Sequence, residues 1–144
     1  ALVAYQGDAV LGGHQARFAD VFTQGRPVVL NFWAGDCPAC QAEMPAFQRV
    51  ADQERGRVIV VGLDVGTFTA LGSHDSARQL MADLRITYPT AYAVDDAPLR
   101  LYHVLSIPTT VFLTAHGRVV TTVSGAMAES QLRAGVQQLL AGAP

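Results

Sequence analysis

The sequence predicts an α/β fold in which a central mixed sheet is flanked by helices on both faces. Residues 28–33 and 57–63 are near-continuous β-branched and apolar runs, the pattern of parallel strands covered on both sides. Between them Met44, Phe47, Val50 and Ala51 recur at helical spacing, so strand, helix and strand form a βαβ unit. Further on, residues 109–114 and 118–123 are β-rich and flank Ala115-His116-Gly117, which reads as an antiparallel hairpin.

The elements follow in order. Residues 1–26 read as an N-terminal extension, with 1–5 and 8–11 paired as a small hairpin around Gln6-Gly7. Phe18, Val21 and Phe22 then lie at helical spacing before Gly25, and His14 reads as a solvated loop residue. The strand 28–33 is bounded by Pro27 and Gly35. The helix after it spans about 38–54, with Pro38 suited to a first turn, Pro45 placed to kink it and Gly56 at its end. Residues 66–72 read as a loop containing Phe68. Ser73 or Asp75 then caps a helix whose apolar stripe is Ala77, Leu80, Met81 and Leu84. A short strand follows at 91–94, and Asp95-Asp96-Ala97-Pro98 opens a short helix to about Tyr102. Leu132, Val136, Leu139 and Leu140 mark a C-terminal helix with Gly142 just past its end.

With 144 residues, half of them apolar and 15% charged, the chain reads as one globular domain, residues 1–144. The net charge of −2, without a basic cluster, gives nucleic-acid binding no electrostatic support. All ten basic residues are arginines. The longest fully apolar stretches, such as Val58-Ile59-Val60-Val61, are too short for a membrane-spanning helix. The chain starts at Ala1 with no signal-peptide pattern, which fits a protein from which a targeting segment has been removed.

Chemistry concentrates at Cys37-Pro38-Ala39-Cys40, which holds the only two cysteines. Cys37 falls at a helix N-terminus, where free N–H groups and the macrodipole favour an anionic sulfur, the attacking species in thiol exchange. Cys40, three residues on, lies on the same face within disulfide reach. In this reading Cys37 attacks a partner disulfide and Cys40 resolves the mixed disulfide. A structural disulfide or half of a metal site are the competing readings. A tetrahedral zinc site needs four ligands, and His14, His74, His103 and His116 are scattered without ligand spacing.

The run Asn31-Phe32-Trp33-Ala34-Gly35-Asp36-Cys37-Pro38-Ala39-Cys40, continuing to Glu43-Met44-Pro45, resembles the active-site signature of exported thioredoxin-like thiol–disulfide oxidoreductases, relatives of the thiol reductases of cytochrome c maturation. Ile107-Pro108-Thr109-Thr110 with Val111-Phe112-Leu113 resembles that family's cis-proline loop and following strand. The resemblance covers about residues 5–141. It implies a thioredoxin-like fold with an insert at about 64–96, which adds roughly one strand–helix to the smallest thioredoxins. It also implies that Pro108 is cis and packs against the cysteine pair, with Ile107 offering backbone groups to an extended substrate segment. The glutamate corresponding to Glu43 lies near the buried cysteine in the family; partly buried, it could carry the Cys40 proton, whereas the plain reading is a solvated helix carboxylate. Asn31 stands where cytoplasmic thioredoxins carry a buried aspartate, and an amide cannot transfer that proton, which shifts the role toward Glu43.

Asp36 departs from the family's usual aromatic residue before the first cysteine. Its charge either disfavours a thiolate on Cys37 and makes the couple more reducing, or is exposed and screened to little effect. Trp33 reads as packing beneath the site. The resemblance implies an extracytoplasmic, periplasmic or membrane-anchored protein-disulfide reductase. It would be a monomer without a prosthetic group, taking electrons from a membrane or soluble dithiol donor and giving them to client cysteines. A disulfide-forming oxidase on the same fold is the main alternative; a metal chaperone or redox-silent binding module comes third, and a peroxidase is weakly supported.

Overall fold

The computed structural model describes residues 1–142. In chain order the elements are β1 Leu2–Gln6, α1 Asp8–Leu11, β2 Gln15–Ala16, a 3₁₀ helix Phe18–Gln24, β3 Val28–Trp33, α2 Pro38–Gln53, β4 Ile59–Asp64, α3 Gly66–Thr69, α4 His74–Leu84, β5 Thr90–Ala93, α5 Ala97–Leu101, β6 Thr109–Leu113, β7 Val119–Ser124 and α6 Glu129–Ala141. The strands form one seven-stranded sheet in the order β2-β1-β5-β4-β3-β6-β7. The three central strands β5, β4 and β3 are parallel, while β1 joins β5 and β6 joins β3 antiparallel. The sheet is therefore mixed, as the sequence pattern predicts.

Alternation along the strands divides the core into two layers. Val29 and Trp33 of β3, Val60 of β4 and Phe112 of β6 face a layer closed by α2, α4 and α6. Val28, Leu30 and Phe32, with Ile59, Val61 and Leu63, face the other layer, which α1, the 3₁₀ helix and α5 cover with Leu11, Val21 and Leu99. Every residue of β3 and β4 is buried, which is why both runs are apolar on both faces apart from Asn31 and Asp64. Side chains such as Trp33, Phe32, Phe47 and Phe112 are almost wholly removed from water, and each contributes about 1.5–3 kcal/mol relative to exposure.

The N-terminal region departs from the sequence expectation. Residues 8–11 form the helical turn α1 rather than the second arm of a hairpin; the arm is β2, whose Ala16 and Gln15 pair with Leu2 and Val3. Gly7 (φ 81°) and Gly12 (φ 96°) bracket α1 in the left-handed conformation and turn the chain away from β1 on both sides. β1 is also integral to the sheet, since it pairs along β5. Two smaller differences follow. β4 starts at Ile59, and part of the 66–72 loop is the helical turn α3. α2 continues through Pro45 to Gln53. No helix among the described residues is long and apolar enough to cross a membrane.

One close approach gives a stability prediction. A Cβ on Gly135 of α6 would lie 2.4 Å from the ring of Phe112, which is itself locked in the core. Helix propensity alone predicts that Gly135→Ala stabilises by up to about 1 kcal/mol. Overpacking against Phe112 costs about 1–3 kcal/mol and decides the sign. Urea unfolding of Gly135→Ala will show a lower midpoint than the parent.

Candidate active site

β3 delivers the chain to the site and α2 begins there. Cys37 is the N-cap of α2, in an extended conformation, and its Sγ accepts the backbone N–H of Cys40 at 3.2 Å. Pro38 occupies the first turn and is exposed. Cys37 and Cys40 are joined in a disulfide with their Cα atoms 5.2 Å apart. Their exposure differs little: Cys37 retains 3% and Cys40 none. The N–H already directed at Cys37 Sγ is the group that stabilises negative charge there after reduction.

The turn before Cys37 is held from outside the βαβ unit. The Asp36 N–H donates to the Leu71 carbonyl at 2.8 Å, and Val65 N–H donates to the Trp33 carbonyl at 2.9 Å. A Cβ on Gly35 would come within 2.4 Å of the Ser76 backbone, so only glycine lets the start of α4 pack against this turn. The Asp36 side chain itself is exposed, the setting in which water and salt screen its charge from Cys37. Trp33 lies fully buried in the same layer as both cysteines.

Glu43 lies one helical turn beyond Cys40, and it is buried, 2% exposed, not solvated. Its Oε1 accepts the Asn31 amide at 3.0 Å and its Oε2 accepts the Met127 N–H at 2.9 Å. Burial pushes its carboxyl above the usual range, and the two hydrogen bonds only partly oppose that. Asn31 is wholly buried on the same sheet face and also donates to Thr110 Oγ1 at 3.3 Å, across the β3–β6 pair. Three polar atoms buried in this layer have no partner among the described residues: Asn31 Oδ1, Trp33 Nε1 and Tyr88 Oη. The Tyr88 hydroxyl is raised well above its ordinary pKa, chiefly by burial and secondarily by the Glu43 charge.

On the other side of the site, the Ile107–Pro108 bond is cis and Pro108 is buried. Phe32 pairs with Thr109, so one more step of that antiparallel register sets Pro108 across from Trp33, at the end of β3 that leads to Cys37. The Pro108 carbonyl accepts the Gly125 N–H at 2.8 Å. Ile107 is partly buried against the layer that contains the cysteines, and its own N–H and carbonyl make no hydrogen bond among the described residues. No cluster of three or more metal-ligating side chains occurs among the described residues.

The structure thus brings Cys37, Cys40, Glu43, Trp33, Ile107 and Pro108 to one region and leaves Asp36 and Pro38 on its rim. Sequence reasoning missed Thr110, Met127, Leu71 and Tyr88. Thr110 lay within the Ile-Pro-Thr-Thr run and was open to notice. Met127 contributes only a backbone N–H from 84 residues away, and nothing in its identity marks it.

The buried carboxylate sets a pH dependence. Because the folded protein holds the Glu43 proton to higher pH than the unfolded chain does, its contribution to stability falls as pH rises from the ordinary value of 4.5 through the folded-state value. In urea unfolding of the oxidised protein, the stability of Glu43→Gln relative to the parent will increase over that window and then level off. A difference independent of pH would contradict it.

Residues 6–122 match the AhpC/TSA family. The thiol-disulfide oxidoreductase ResA of Oceanobacillus iheyensis is 30% identical over 112 residues, 76% of this chain and 55% of its own length. The thiol-disulfide oxidoreductase ResA of Bacillus subtilis is 32% identical over 111 residues, 76% of this chain and 59% of its own. The chain therefore spans little more than half the length of these two relatives. Among solved structures, a secreted Mycobacterium tuberculosis disulfide oxidoreductase homologous to E. coli DsbE superposes with a TM-score of 0.72 at 28% identity, covering 90% of this chain and 92% of that one.

Proposed function

The chain belongs to the AhpC/TSA family and has a thioredoxin-like fold, and from that premise we propose that it is an extracytoplasmic thiol–disulfide oxidoreductase working as a protein-disulfide reductase. The observation that carries the reading is the disulfide between Cys37, capping α2, and Cys40, with the buried carboxylic acid of Glu43 one turn further on. The names of the two ResA relatives and the secreted structural neighbour support the activity and the location.

The reduced protein starts with two thiols. The Cys37 thiolate attacks one sulfur of a client disulfide; a new S–S bond forms to Cys37 and the client's other sulfur leaves as a thiolate. Glu43, as carboxylate, takes the Cys40 proton, and the Cys40 sulfur attacks Cys37 Sγ. That closes the Cys37–Cys40 disulfide and releases the second client sulfur. Two electrons pass to the client, and a dithiol donor restores the pair by the reverse exchange. All electrons travel through sulfur, so the cycle uses no prosthetic group. Ile107, with its backbone groups free, is suited to pair with an extended client segment while Pro108 shapes the loop. The Ile-Pro sequence and the reductase-like flanks of the cysteine pair favour reduction over the oxidase direction.

Two variants separate the steps. Cys40→Ser will stop at a covalent mixed disulfide with a client, seen as a stable adduct on non-reducing electrophoresis. Glu43→Gln will form that adduct at close to the parent rate but resolve it about a hundredfold more slowly in single-turnover measurements, the low end of general acid–base contributions. Multiple turnover by Cys40→Ser, or unchanged resolution in Glu43→Gln, would contradict the assigned roles.

A further inference from the structure

The exchange mechanism leaves one buried carboxyl without a task. Glu43 takes part in it and Glu54 is ion-paired with Arg57, but Asp64, 2% exposed at the end of β4, has no ion pair among the described residues. Both its oxygens are engaged by neutral donors instead. Oδ2 accepts the Tyr5 hydroxyl of β1 at 2.7 Å, and Oδ1 accepts the Gly66 N–H of α3 at 2.9 Å. Burying a carboxyl costs stability, which such bonds offset only in part. Around it stand Tyr92, its register partner on β5, and His74 and Arg78 of α4. His74 is stacked on Tyr92 at 3.8 Å, and the Arg78 guanidinium lies 5.1 Å from the centre of the Tyr5 ring.

Alternation along β4 sets Asp64 on the face of Val60, toward the layer that holds both cysteines, and in the parallel register it lies opposite Trp33. From Gly66 a run of hydrogen bonds leads to the nucleophile. The Gly66 carbonyl accepts the Leu71 N–H at 3.2 Å, and the Leu71 carbonyl accepts the N–H of Asp36, the residue before Cys37, at 2.8 Å. Packing along this run is close. A Cβ on Gly66 would lie 3.1 Å from Asp64 Oδ1, and one on Gly72 would lie 3.1 Å from the Gly35 nitrogen. The 3.2 Å hydrogen bond from Cys40 N–H to Cys37 Sγ depends on this turn, because the turn sets the sulfur over the start of α2.

We propose that Asp64 is a positioning residue for Cys37: its buried carboxyl, anchored on Tyr5 of β1, fixes the α3 turn and, through Leu71, the peptide that precedes the nucleophile. The proposal rests on Cys37 being the exchanging thiol and adds the group that sets its reactivity. It also gives β1 a part in the active site, since the anchor comes from 32 residues before Cys37.

The test is the pH profile of Cys37 alkylation by iodoacetamide in the reduced protein, with the modified residue identified by peptide mapping. Asp64→Ala removes both contacts and will move the midpoint up by about one pH unit, toward the ordinary thiol value of about 8.5, as the sulfur loses its place at the helix end. Asp64→Asn keeps an oxygen for the Gly66 N–H and an amide for the Tyr5 oxygen, and its midpoint will stay near the parent's. The direction separates positioning from charge, because removing a nearby negative charge would lower the midpoint. Should Asp64→Ala not fold, the upward shift is required of Tyr5→Phe, which keeps the ring and loses only the hydroxyl. An unchanged or lowered midpoint in the deciding variant, or Asp64→Asn displaced as far as Asp64→Ala, overturns the proposal while exchange at Cys37 stands. Parent protein that alkylates at Cys37 but reduces no peptide disulfide overturns the exchange reading, and this proposal with it.

Discussion

A carboxyl group sealed inside an apolar layer is tolerated only where the fold holds it, and much of this site follows from holding Glu43. The amide of Asn31 reaches it from β3, and the N–H of Met127 reaches it from the segment entering α6. Asn31 is in turn tied to Thr110 across the adjacent strand. Two strands, the active-site helix and the start of the last helix therefore meet at one buried acid. Its raised proton affinity is the physical consequence of that burial, and the carboxyl lies one helical turn from Cys40.

The second constraint acts on the nucleophile. Cys37 sits where β3 ends and α2 begins, and its position depends on the turn that precedes it. That turn is clamped by Leu71 and by the close packing of Gly35 against α4. The segment after β4 thus fixes the approach to Cys37.

Much of this was legible in the sequence because its signals are local. The apolar run of β3, the helical spacing of Met44, Phe47 and Val50, and the paired cysteines each report on a single element. The Ile-Pro-Thr-Thr run likewise marked the loop beside the site. Errors arose where tertiary pairing decides. The apolar Ala9, Val10 and Leu11 read equally well as strand or helix, and two left-handed glycines settled the matter. β2 is two residues long and carries no strand signal; it exists through its pairing with β1. For Glu43 the sequence left a partly buried and a solvated carboxylate both open, because the partners that decide it lie 12 and 84 residues away.

The central claim is that the Cys37–Cys40 pair gives electrons to its clients. Its most direct test is the reduction potential of that couple, measured by equilibration against glutathione or dithiothreitol buffers. The account predicts a value near that of thioredoxin, about −270 mV. A value near about −120 mV, that of a strong disulfide-forming oxidase, would contradict it.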